Sequence, residues 1–182
     1  MTEAPKIPRR IVTTDDASGK SVAIADGPAP NVLIDPARPG FSSTQIWVTD
    51  ATPVQISHAH DAFSRMHGIV PPPHGSVCRI VTLPPDDALR GVGASEIEAF
   101  FRTAGAPNAS TYSGAATHPY MAKTRTLDFC LILEGEVTLV LDTEEVALSA
   151  GDTVVQRGTN HAWSNRSNRP CTIAISSHDA AE

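Results

Sequence analysis

Two side chains in the last third of the chain, Asp128 and His161, combine acid–base chemistry with apolar surroundings. Asp128 opens the run Asp-Phe-Cys-Leu-Ile-Leu, and His161 precedes Ala-Trp. Alternate residues of a strand share a face. Asp128 therefore goes with Cys130 and Ile132, Val154 with Gln156, and His161 with Trp163 and Asn165. A polar group facing inward costs about 1–3 kcal/mol if unpaired, so a barrel that needed only a core would not place Asp128, Gln156 and His161 there. An imidazole and a carboxylate in an apolar pocket have tunable pKa values, as proton abstraction beside a carbonyl or dehydration requires. In this reading His161 and Asp128 are the catalytic pair. Cys130 is either a nucleophile paired with His161 or a small buried hydrophobe. Trp163 either stacks on a flat ligand ring or fills the core. Gln156 and Asn165 either hydrogen-bond a ligand or satisfy their own strand ends.

The elements that must position these residues are short strands. Residues 10–14 and 21–25 flank the polar stretch Asp-Asp-Ala-Ser-Gly-Lys and read as a hairpin. Residues 44–48 and 77–83 are β-branched runs, the second stopped by Pro84-Pro85. Residues 127–133, 137–142, 146–148, 153–156, 161–165 and 171–176 alternate with Gly and acidic turns, and read as an antiparallel meander. Only residues 94–104 have helical character. Ser95 is the expected N-cap, with Glu98 three residues on, and Gly105 with Pro107 ends the helix. Ile97, Phe100 and Phe101 form its apolar face, expected on the outside of the sheet or against a partner. The predicted fold is all-β. It is a single jelly-roll barrel with extra N-terminal strands (1–93), one short helix (94–105) and a barrel core (112–178).

The stretch from Asp128 to Asn165 resembles the two motifs of the cupin superfamily. Asp128 followed by six residues and Gly135 corresponds to the acidic end of the first motif, where Glu is usual. Gly151-Asp152, the turn Arg157-Gly158-Thr159, His161 and Asn165 correspond to the second, with its His-x-x-x-Asn ending; Gln156 stands where proline is common. More narrowly, TLDFCLILEGEVTLVLD and GDTVVQRGTNHAW are similar to small single-domain cupins of bacteria and of fungal natural-product gene clusters, described as oxidoreductases. RRIVTTDDASGKSVAIADGP and GFSSTQIWVTDATP resemble their N-terminal half. The resemblance implies a double-stranded β-helix, a homodimer formed through N-terminal strands, and one divalent metal (Fe, Mn, Ni, Cu or Zn) on two His and a Glu of the first motif and one His of the second. Here the two first-motif histidine positions hold Ala122 and Thr124, leaving His161 and Asp128. His118, ahead of Pro119 and Tyr120, either completes a two-His-one-carboxylate metal set with them or caps a loop and points to water. Redox chemistry would need that metal, since the chain has neither a dinucleotide fingerprint nor a redox CxxC pair.

Composition bounds the alternatives. The 182 residues carry 14 Lys and Arg against 20 Asp and Glu, a net charge of -6, which argues against tracking a phosphate backbone. No apolar run is long enough for a membrane helix, and the N-terminus lacks the apolar stretch of a secretory signal. Three scattered cysteines give no disulfide framework and point to the cytoplasm. His58, His60, His67 and His74 cluster in a stretch that reads as an exposed loop, or as a lid over the barrel mouth. Lys123, Arg125 and Arg157 are expected at the mouth, with Arg125 and Tyr120 as ligand contacts. The expected partner is a small organic metabolite, either a substrate or a ligand held without chemistry.

Overall fold

The computed structural model describes residues 6–56 and 66–181. His58 and His60 lie outside the described residues. Among the described residues, eleven strands and one α-helix follow in the order β1 (Arg9–Asp15), β2 (Ser21–Pro28), β3 (Asn31–Ile34), β4 (Ser42–Thr49), β5 (Ser76–Leu83), α1 (Ala94–Thr103), β6 (Thr126–Glu134), β7 (Glu136–Val140), β8 (Glu145–Ser149), β9 (Thr153–Arg157), β10 (Ala162–Ser164) and β11 (Cys171–Asp179). Among the described residues no helix is long and apolar enough to cross a membrane.

Three antiparallel sheets form. The largest runs β3-β4-β5-β11-β6-β9, the second β10-β7-β8, and β1-β2 stand as a hairpin. The expected meander is corrected by this order. β6 and β7 are consecutive in sequence yet belong to different sheets, and the chain crosses between the sheets at Gly135. Gly135 has φ +81°, and a Cβ there would lie 2.8 Å from the Pro170 carbonyl oxygen, so the crossing requires glycine.

Alternation explains which residues face in. On β5, Val77, Arg79, Val81 and Leu83 are buried, and the residues between them are half-exposed. On β6, Asp128, Cys130 and Ile132 point inward, while Phe129, Leu131 and Leu133 remain 49%, 38% and 44% exposed, the arrangement expected from the period of two. The core lies between the two main sheets: Val81, Cys130, Ile132, Cys171, Ile173 and Ile175 of the larger sheet meet Val137, Leu148 and Trp163 of the smaller.

The helix departs from expectation at both its start and its packing. It is capped at Gly93, not Ser95, and it is Glu96 whose carboxylate accepts the Gly93 N–H at 3.1 Å, while Glu98 pairs with Arg102. Its apolar face turns into the fold. Ile97 and Phe101 are buried with Tyr120, and the Phe100 ring meets Phe41 and Tyr120 edge-on at 5.3 and 5.1 Å. Phe100 and Phe101 also line the cavity between the sheets.

Candidate functional site

The barrel holds an open cavity of about 130 Å³ whose wall includes His161, Asp128, Cys130, Trp163, Tyr120, Ala122 and Thr124. The catalytic candidates reach it from different strands. Asp128 comes from the inward face of β6, opposite Ser177 of β11 and Gln156 of β9. His161 comes from the residue before β10, where its backbone exchanges two hydrogen bonds with Ala122 (2.8 and 3.0 Å). The turn between β9 and β10 aims it. Gly158 takes φ +61° with the Thr124 carbonyl oxygen 3.2 Å from where a Cβ would stand, so the chain there is both left-handed and crowded.

The His161 ring is fixed through Thr159. Nδ1 stands 3.0 Å from the Thr159 carbonyl oxygen. A carbonyl only accepts, so Nδ1 carries the proton and Nε2 is the basic nitrogen of the neutral ring. The same carbonyl accepts from Gln156 Nε2 at 3.1 Å, and that amide also donates to the Thr159 hydroxyl. Burial pushes the His161 pKa below the ordinary imidazole value of 6.5, outweighing the Thr159 carbonyl and the Asp128 charge, which raise it. The ring is held neutral, with a free base at the cavity.

Several expected contacts are corrected. Gln156 is absent from the cavity wall and acts by holding the turn that presents His161. Asn165 is fully buried and spends its side chain on structure: Nδ2 donates to the Leu83 and Arg169 carbonyls (3.0 and 2.8 Å), and Oδ1 accepts from the Ser167 amide and hydroxyl. Lys123, Arg125 and Arg157 are exposed and lie off the cavity wall. His118 is buried but does not join Asp128 and His161. Its Nδ1 accepts the Tyr120 N–H at 3.1 Å, and its Nε2 faces Asp86 Oδ2 at 3.9 Å. His67 lines a neighbouring cavity, its amide donating to Gln45 Oε1 at 2.7 Å. Trp163 and Tyr120 do line the main cavity, and Tyr120 donates its hydroxyl to Asp35 Oδ2 at 3.2 Å. Burial, reinforced by the Asp128 charge, pushes the Cys130 thiol up to about 12, which leaves it a buried hydrophobe with no thiolate near neutral pH.

Two arginines escaped the sequence reading. Arg79 and Arg38 are 7% and 3% exposed and stand on the cavity wall. Arg38 lies over the Tyr120 and Phe41 rings at 4.5 and 5.0 Å. The signal for Arg79 was its place between Val77 and Val81 on the inward register of β5; Arg38 sits in a loop, where no period marks it.

Among the described residues, those on the cavity wall do not fit a divalent metal. The cavity wall offers one imidazole and one carboxylate, with Ala122 and Thr124 beside them and Arg79 supplying positive charge next to Asp128. Among the described residues no three His, Cys, Asp or Glu side chains come together as a ligand set.

Comparison with known proteins agrees with the architecture. The cupin domain family model matches residues 111–176. Phomopsin biosynthesis cluster protein C' of Diaporthe leptostromiformis is 31% identical over 176 residues, covering 91% of this chain and 75% of that protein. The chain is a cupin. A shorter match, 46% over 50 residues, links this cupin to oryzines biosynthesis cluster protein J of Aspergillus oryzae, covering 27% of this chain and 28% of that protein. Among solved structures, the cupin domain of an XRE family transcriptional regulator from Enterobacter cloacae aligns with 58% of this cupin and 83% of that chain, at 14% identity and a TM-score of 0.35.

Proposed function

We propose that this cupin binds a small oxygenated organic molecule inside the barrel and that His161 moves a proton on it without a resident metal. The observation that carries this reading is the His161 tautomer: with Nδ1 committed to the Thr159 carbonyl, the unprotonated Nε2 belongs to a cavity-lining ring. A base held at that nitrogen takes a proton from carbon beside a carbonyl, the electron pair moves onto the carbonyl oxygen, and the nearby guanidinium of Arg79 stabilises the charge that develops there. Asp128 favours the imidazolium formed in that step by its charge, acting across the cavity rather than through a hydrogen bond. Aromatic and aliphatic walls from Phe100, Phe101, Val81 and Ile175 suit an apolar portion of the ligand and limit water. The similarity to proteins of biosynthetic clusters supports a metabolite as the ligand.

The test is deuterium exchange. The full chain is incubated in deuterium oxide with small ketones, keto acids and hydroxy acids, and loss of the α-proton signal is followed by NMR. Protein-dependent exchange that falls roughly 100-fold or more in His161→Gln is expected. Exchange unchanged in that variant contradicts the proton-transfer role. A second reading, a binder that carries out no chemistry, is favoured by Ala122, whose methyl group stands on the wall where the family motif has a histidine. Binding without any exchange in the wild type would select it. Exposed Ile11, Val22 and Ile24 on the β1-β2 hairpin support the further proposal that the chain forms a homodimer through its N-terminal strands.

A further inference from the structure

The proton-transfer reading leaves the polar floor of the cavity unexplained. Arg79 Nη2 donates to Ser177 Oγ at 3.1 Å, while its Nε and Nη1 are buried with no acceptor among the described residues. Asp128 has the complementary defect, because its Oδ1 is buried with no donor. Both side chains line the same cavity. A buried guanidinium with two open N–H groups beside a buried carboxylate with an open oxygen is costly in an apolar barrel. One kind of guest relieves both. It carries an anionic acceptor for Arg79 and an O–H or N–H donor for Asp128. Arg38, also on the wall and with its Nε likewise open, adds positive charge and favours an anion over a neutral carbonyl.

We propose that the ligand is a short-chain hydroxy or amino carboxylic acid, its carboxylate on Arg79 and its hydroxyl or amino group on Asp128. The cavity of about 130 Å³ is close in size to an engineered apolar cavity of about 150 Å³ that holds benzene. That suits a small acid of about three to six carbons, with its hydrocarbon part against Phe100, Trp163 and Ile175. This inference rests on the small-molecule reading above and adds the class of ligand.

Titration calorimetry on the full chain tests it with 2-hydroxyisovalerate and valine as probes, together with isovalerate, which lacks the donor, and 2-hydroxyisovaleramide, which lacks the charge. The hydroxy acid is expected to bind roughly 10- to 100-fold more tightly than its amide. Arg79→Gln should erase that difference, and Asp128→Ala, which removes the acceptor, should erase the preference for hydroxy acid over isovalerate. Because Arg79→Gln alone leaves Asp128 without a nearby countercharge, the uncharged double variant Arg79→Gln/Asp128→Asn is measured with it, each variant being checked for cooperative melting. Equal binding of acid and amide, or discrimination that survives Arg79→Gln, overturns the ligand class but leaves a small-molecule cavity. Failure of all four compounds to bind at tens of millimolar overturns both.

Discussion

His161 is neutral in the folded protein because its surroundings disfavour the imidazolium. Its folded pKa lies below the unfolded value near 6.5, so between those two values the unfolded chain binds more protons than the native one. The stability this group contributes is therefore complete above about 6.5 and is lost as the pH falls through the folded pKa. Denaturant melts across that window should show wild-type stability declining on acidification more than His161→Gln declines, and the acid limb of any proton-exchange activity should lie below 6.5. Equal slopes for the two proteins would contradict the burial argument. At this scale the sequence was a partial guide. Asp128 and His161 stood out because each is a polar residue in an apolar alternation. The same alternation marks Arg79 between Val77 and Val81, but a lone arginine in a strand does not reveal from sequence whether its head is buried or reaches solvent.

The element that aims the site is the turn between β9 and β10. Gln156 at the end of β9 ties down Thr159, Thr159 orients the His161 ring, and Gly158 makes the left-handed turn that brings them together. Gly158→Ala should cost about 1–2 kcal/mol for placing a Cβ in that conformation, with a further penalty from the Thr124 carbonyl oxygen 3.2 Å away. Its effect on ligand affinity should exceed its effect on overall stability, because Gly158 directly precedes Thr159, whose carbonyl holds the His161 ring. Chemical denaturation and calorimetry on the same samples separate the two. Strand positions were readable from period-two alternation, and β6, β8, β9 and β11 fall within a few residues of expectation. The role of α1 was not readable. An amphipathic helix announces that it has an apolar face but not what covers it, and here Phe100 and Phe101 line the cavity.

For the whole molecule, local pattern and tertiary arrangement separate. Alternation identified an all-β chain, and the motif around Asp128 and His161 carried the cupin resemblance through to the observed sheets. The pairing order did not follow from it, since a meander and a jelly roll share the same strands and differ in which sheet each enters after a turn such as Gly135. The expected place of His118 beside Asp128 and His161 is corrected for a related reason: His118 is close to Asp128 in sequence, but the fold turns it toward Asp86. The central claim is that the ligand lies between the sheets, among His161, Asp128 and Arg79. A methyl chemical-shift map of the intact chain titrated with 2-hydroxyisovalerate tests this most directly. Saturable shifts are predicted for Val81, Ala122 and Ile175 on the cavity wall. Shifts confined to outward-facing Leu131, Leu133 and Val155, with the cavity methyl groups unmoved, would contradict it.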